Sequence, residues 1–356
     1  MTELIDTGKY YKDCCLCPRK CHADRTSGQK GFCGMGAVIT CAKAYRHMWE
    51  EPCLTGEKGS GTVFFTGCNL GCLFCQNSGI SSGREGAPIS EERLSGIFLE
   101  LEQQGASNIN LVTAVCYIPH IRNAIIRARD KGLRIPTVYN SGGYESPEAL
   151  ALLDGCIDIY MPDMKYMSRE LSAEYSKAPD YPDIAVKAIA EMFRQTGPAV
   201  FGDDGMMKRG VLVRHLVLPG SVPDSKRVLR YLHSTYGNDI CISIMRQYTP
   251  TAAVSAHPLL SRKVSDEEYE RVLEFADSIG IEKGFFLDWT SPSQRAMDTV
   301  ATSSAFTSRR MRPAALSFAI ARRNASFGPK RSFVRRSART DSIDLSPQRI
   351  WHFSSR

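Results

Sequence analysis

Residues 59–77 read Gly59-Ser-Gly-Thr-Val-Phe-Phe-Thr-Gly-Cys-Asn-Leu-Gly-Cys-Leu-Phe-Cys-Gln-Asn77. The run Thr62-Val-Phe-Phe-Thr66 has the β-branched and aromatic composition of a short strand. Cys68, Cys72 and Cys75 follow it at once, so they occupy the loop at the strand's C-terminal end. In parallel α/β architectures that end carries the active site.

Downstream, strands and helices alternate. Apolar runs at Val63–Thr66, Ile109–Thr113, Ile135–Tyr139, Ile157–Met161, Val211–Leu218 and Ile240–Met245 give six strand–helix units. Ser90 can cap a helix whose Leu94, Ile97, Phe98 and Leu101 share one face, and Gly105 ends it. Further helices are expected at Ile118–Arg129, after Pro147, over one long stretch of about 168–195, from Pro223 to Tyr236 and over 265–279. Short apolar strands alternating with helices predict an α/β fold with a parallel sheet covered by helices. Six units fall short of an eight-stranded barrel, which leaves a partial barrel or an open doubly wound sheet.

Ten of the 13 cysteines lie in the first 75 residues. Disulfides are disfavoured in a reducing cytosol, so clustered thiols there read as metal or redox ligands. Cys116, Cys156 and Cys241 sit alone in apolar runs and read as plain buried thiols. Cys68, Cys72 and Cys75, spaced C-x3-C-x2-C, can converge on one small object. Zinc usually takes four ligands and favours C-x2-C pairs, whereas three thiols on a [4Fe–4S] cube leave one iron open. Such an iron can bind an amino and a carboxylate group, and Phe74 can pack on a planar base. A structural zinc site or three unrelated buried thiols are the alternatives.

The string Cys68-x3-Cys72-x-Phe74-Cys75 resembles the signature of the radical S-adenosylmethionine (SAM) superfamily. Glu50-Glu-Pro-Cys53, Asn108-Ile-Asn-Leu-Val-Thr113, Tyr139-Asn-Ser-Gly-Gly-Tyr-Glu145, Asp158-Ile-Tyr-Met-Pro-Asp-Met-Lys-Tyr166, Val213-Arg-His-Leu-Val-Leu-Pro-Gly220 and Gln247-Tyr-Thr-Pro250 narrow the likeness. They resemble a pyruvate formate-lyase activating enzyme-like subfamily of uncharacterised radical SAM proteins. The likeness covers about residues 14–287. It departs at Ala114-Val115-Cys116, where the family more often has Pro-Thr-His. It implies a partial (β/α)6 TIM-like barrel with a [4Fe–4S] cluster on Cys68, Cys72 and Cys75 at its mouth. It also implies reductive cleavage of SAM to a 5′-deoxyadenosyl radical and hydrogen abstraction from a substrate. In the narrower form the substrate is a glycyl-radical protein and an electron donor such as flavodoxin or ferredoxin serves the cluster.

Five residues are expected to touch SAM: Phe74, Asn140, Asp163, Lys165 and Arg214. Asp163 and Lys165 lie just past a strand, where alternate residues share a face; an ordinary salt-bridged loop is the competing reading. Gly142 and Gly143 after Asn140 allow backbone to approach a ligand, or simply form a turn. Arg214 resembles a family position near the SAM carboxylate, although a strand-terminal Arg has the same pattern. His215 reads as a satisfied core histidine. Cys14, Cys17, Cys21 and Cys33 have the spacing of a second metal site, for zinc or an iron–sulfur cluster, with reduced structural thiols as the alternative. Cys15, His22 and His47 could stand in for one of these ligands.

Three regions follow: a Cys-rich N-terminal segment over 1–55, the radical SAM core over 56–287, and an irregular Ser/Arg-rich tail over 288–356. The whole chain carries +7, but residues 290–356 alone hold 12 Arg, 1 Lys and 3 Asp. The body is therefore slightly acidic, and the chain-wide charge is no argument for nucleic-acid binding. The tail reads as a disordered extension or the product of a frame shift near Leu287, ahead of a basic arm. No membrane span and no signal peptide are expected, which points to the cytoplasm. The reading from another functional class is a non-catalytic zinc-binding interaction module. Alternatives within the class are radical modification of a small molecule, a peptide or RNA.

Overall fold

The structure, a computed structural model, describes residues 3–287 and 351–352. Its strands are β1 (Ile39–His47), β2 (Ser60–Phe65), β3 (Ala87–Ile89), β4 (Ile109–Val112), β5 (Thr137–Ser141), β6 (Ile159–Pro162), β7 (Val200–Phe201), β8 (Met207–Leu216), β9 (Cys241–Met245), β10 (Gly284–Leu287) and β11 (Trp351–His352). They form one sheet in the order β10-β9-β8-β6-β5-β4-β2-β1-β11, with β3 on β1 and β7 on β8. The run from β2 to β10 is parallel throughout. Its spatial order follows chain order without reversal, so the doubly wound alternative falls away. Right-handed crossovers then put the helices on one face of a curling sheet, which is the partial barrel.

Strand alternation divides the core in two. Val138, Ile159, Met161, Leu212, Cys241, Met245 and Phe285 point inward and pack with Cys53 and Leu54 from the turn Pro52–Thr55. Val63, Leu111, Tyr139, Tyr160, Val213 and Ile242 point outward into the larger helix-covered cluster. The helix Glu91–Gln103 starts at Ser90, whose Oγ accepts from the Arg93 N–H at 3.1 Å. Its buried Leu94, Ile97, Phe98 and Leu101 are the predicted face.

Several expectations are corrected. Seven parallel strands are present among the described residues, because Gly284–Leu287 pairs with β9. The Cys-rich segment over 1–55, for which no strand is expected from the sequence, contains the nine-residue β1, antiparallel to β2 in the same sheet. The 168–195 stretch is two helices, Arg169–Ser176 and Tyr181–Thr196. Lys177 takes a left-handed φ of 53°, and Pro179 lacks the N–H a continuous helix needs there. β5 starts two residues later than the predicted strand, and β4 stops at Val112 because Thr113 turns left-handed. The tail beyond 287 lies outside the described residues apart from Trp351–His352, which pairs with Lys43 and Ala44 of β1. Among the described residues no helix is long and apolar enough to cross a membrane.

Candidate active site

The loop after β2 is held from three directions. Gly67 has a φ of 90°, and a Cβ there would meet Met35 Cγ at 2.2 Å. The Gly71 and Leu73 N–H groups donate to the Ser176 and Tyr175 carbonyls at 3.2 and 2.8 Å. Arg19 Nε donates to the Asn69 carbonyl at 2.9 Å, and Asn69 Nδ2 to that of Tyr144 at 2.5 Å. These ties place Cys68, Cys72 and Cys75 along one cavity at the C-terminal ends of the strands. Ser176 Oγ lies 3.0 Å from Cys72 Sγ, and Ser81 Oγ 3.4 Å from Cys75 Sγ. Burial pushes the Cys68 thiol up to about 12, so a metal binding there displaces protons.

The donor set suits an object larger than one ion. Zinc–thiolate bonds of about 2.3 Å put sulfurs just under ~4 Å apart. Among the described residues the trio with ligand atoms all within 4.8 Å is Asp13, Cys15 and His22, exposed and elsewhere. The three loop thiols therefore share a cavity without the close contact of a single-ion site. A [4Fe–4S] core, which spreads its cysteines over separate irons, fits them.

All five residues expected to touch SAM line this same cavity. Pairing of β6 with β8 sets Ile159 beside Gly210 and Tyr160 beside Val211, and the same register brings Asp163 beside Arg214. Arg214 Nε donates to Asp163 Oδ1 at 3.0 Å and Nη2 to Asn140 Oδ1 at 2.7 Å. Lys165 Nζ contacts Asp163 Oδ2. The salt-bridged-loop reading is thus right about the bond and incomplete about the place, since the bond lies in the cavity wall. Burial opposes charge on Asp163, but Lys165 and Arg214 overcome it and hold the carboxyl below its ordinary range. Asp163 likewise raises Lys165 against the effect of burial. Phe74 meets Tyr248 edge-on, with ring centroids 5.9 Å apart.

Sequence reasoning missed Glu50, Asn110 and Glu145. Glu50 Oε1 accepts from Arg214 at 3.3 Å, and its Oε2 accepts from Asn110 Nδ2 at 2.7 Å and Asn140 Nδ2 at 3.4 Å. Glu50 stood in the quoted Glu-Glu-Pro-Cys string, its only signal. Glu145 is fully buried in the cavity wall; Ser141 Oγ donates to its Oε2 at 3.1 Å, and among the described residues its Oε1 has no partner. Burial raises its carboxyl to about 8. Gly143 serves the chain: φ is 76°, and a Cβ would meet the Asp163 carbonyl at 2.1 Å. Gly142 does line the cavity. His215 is the expected satisfied core histidine, bonded to the Met164 carbonyl at 2.8 Å and Ser225 Oγ at 2.9 Å.

Cys14, Cys17, Cys21 and Cys33 surround a second, smaller cavity. Cys116, read as a lone buried thiol, is corrected: it is buried, but it lines that cavity beside Cys33. The neighbouring Cys116 thiol is the main reason the Cys33 thiol falls to about 6. Cys15 turns away to His22, and His47 packs against Tyr45 and Phe64.

No family model matches the chain. It is 26% identical over 280 residues, 76% of each chain, to Uncharacterized protein MJ0674 of Methanocaldococcus jannaschii. Among solved structures it is similar to a domain of pyruvate-formate lyase-activating enzyme from Bacteroides vulgatus, at 13% identity over 48% of this chain and 93% of that one, TM-score 0.35. It is also similar to a radical SAM methyltransferase from Sphaerobacter thermophilus, at 14% identity over 64% of this chain and 66% of that one, TM-score 0.44. A third is HydG, a maturase of the FeFe-hydrogenase, at 16% identity over 62% of this chain and 49% of that one, TM-score 0.44.

Proposed function

We propose that this chain is a radical SAM enzyme whose Cys68, Cys72 and Cys75 hold a [4Fe–4S] cluster. The observation that carries the reading is the convergence of these thiols with Phe74, Asn140, Asp163, Lys165 and Arg214 on one cavity at the strands' C-terminal ends. Cys68, Cys72 and Cys75 would hold the cluster, which when bound would supply the reducing electron for SAM cleavage to a hydrogen-abstracting radical.

The chain's own residues orient and shield. Arg214 and Lys165 offer part-buried positive charge to a carboxylate, and Asp163 and Glu50 offer acceptors to an ammonium group. Their mutual bonds hold these groups in place before a ligand arrives, which lowers the ordering cost of binding. Phe74 and Tyr248 give an apolar wall for a base. Burial raises the Glu145 carboxyl toward its neutral form, which lessens the negative charge beside Asp163.

The narrower reading, activation of a glycyl-radical protein with electrons from flavodoxin or ferredoxin, is supported by the sequence resemblance alone. The test is 5′-deoxyadenosine formation by anaerobically reconstituted, dithionite-reduced chain, wild type against Cys72→Ala. Product from the wild type and its loss in the variant are expected. A wild type that binds only zinc and forms no product would leave the zinc-module reading standing.

A further inference from the structure

Arg25 is 3% exposed and lies beside the N-terminal thiols. Its guanidinium donates to the carbonyls of Met35 (3.1 Å), Gly36 (2.6 Å) and Cys116 (3.0 Å), and Nη1 lies 3.7 Å from Cys14 Sγ. The rings of Tyr11 and Tyr117 lie 4.6 and 5.9 Å from it. Among the described residues no carboxylate pairs with it. A buried cation with only neutral partners is costly, and the groups around it that can become anions are thiols.

Those thiols are positioned as ligands. The Phe32 N–H donates to Cys21 Sγ at 3.2 Å. Such amide–sulfur bonds stabilise thiolates and tune bound clusters. A Cβ on Gly31 would meet Cys21 Cβ and Sγ at 2.7 Å, so glycine there lets the two strands of this loop close on the cavity.

We propose that Cys14, Cys17, Cys21 and Cys33 hold a second iron–sulfur cluster, with Arg25 as its buried counter-charge and the Cys116 thiol at its edge. Four cysteinates on an iron–sulfur core leave a net negative charge, the partner Arg25 lacks among the described residues. No three of these thiols lie within 4.8 Å of one another, wider than sulfurs sharing one zinc. Phe32 and Cys33 also line a cavity with Cys68, Cys72 and Cys75. The two sites are neighbours, so iron must be counted with one of them removed.

The test uses full chain purified anaerobically, with the loop variant Cys68→Ala/Cys72→Ala/Cys75→Ala and the N-terminal variant Cys14→Ser/Cys17→Ser. The loop variant is expected to keep iron and acid-labile sulfide in near-equal amounts and a reduced-cluster EPR signal. The N-terminal variant is expected to lose about half of the wild-type iron. Combining the two should drop iron at least tenfold. Arg25→Met should move the midpoint potential of the remaining signal downward, because a positive charge favours the reduced cluster. One zinc per chain without sulfide in the loop variant overturns the proposal, as does a metal-free Cys33–Cys116 disulfide. If the loop variant fails to fold, full wild-type iron in the N-terminal variant overturns it instead. Iron kept by the wild type and lost from a folded loop variant refutes this site and leaves the radical SAM reading intact. Iron kept by the loop variant with no 5′-deoxyadenosine from the wild type does the reverse.

Discussion

Replacing Glu145 by Gln separates burial cost from chemistry in the cavity wall. The carboxyl rises from 4.5 to about 8 because it is buried with a single donor, Ser141 Oγ. In that window the folded chain keeps a proton that the unfolded chain has released. Stability therefore falls as pH rises from about 4.5 to about 8 and levels off above. At about 1.4 kcal/mol per unit, the full penalty is roughly 4–5 kcal/mol. Gln cannot ionise, so Glu145→Gln removes this slope. Urea unfolding followed by circular dichroism, at pH 5 to 9, measures it. The variant should match the wild type within about 1 kcal/mol at pH 5 and gain about 1.4 kcal/mol per pH unit up to pH 8. A stability difference that stays constant across pH would refute the assignment of a neutral, buried Glu145.

Three further outcomes follow from the packing. Arg214→Met leaves Asp163 and Glu50 part-buried without their guanidinium and should cost about 1–3 kcal/mol in urea unfolding. Asp163 is held low in the wild type, so its contribution is present above its ordinary range and lost as pH falls through the depressed value. In the variant the folded carboxyl is depressed less, so that loss should be smaller and complete at higher pH, visible in an acid titration by circular dichroism. Gly143→Ala forces a side chain onto a φ of 76° and into the Asp163 carbonyl; thermal unfolding should show a loss above about 2 kcal/mol. Ser90→Ala removes only a helix cap and should cost about 1 kcal/mol by the same measurement.

What the sequence made legible was local or periodic. Ser90 and the face Leu94–Leu101 could be read because capping and a 3.6-residue period are near-neighbour effects. That the loop thiols share one cavity could be read because all three lie within eight residues. β1 was hidden because its alternation sits among cysteines that invite a metal reading. β10 is four residues long and lies at the end of the resemblance. Glu50 reaches Arg214 across 164 residues, and Cys116 reaches the N-terminal thiols across more than 80, through sheet closure that no local pattern encodes. The split at Lys177 was the most avoidable miss, since Pro179 already forbade a continuous helix.

The central claim is that the cluster on Cys68, Cys72 and Cys75 keeps one iron open for SAM. EPR of the reduced cluster with and without saturating SAM tests it most directly, in the Cys14→Ser/Cys17→Ser variant so that only the loop cluster contributes. The account predicts that SAM changes the signal and that Cys72→Ala abolishes it. An unchanged spectrum at saturating SAM would contradict it.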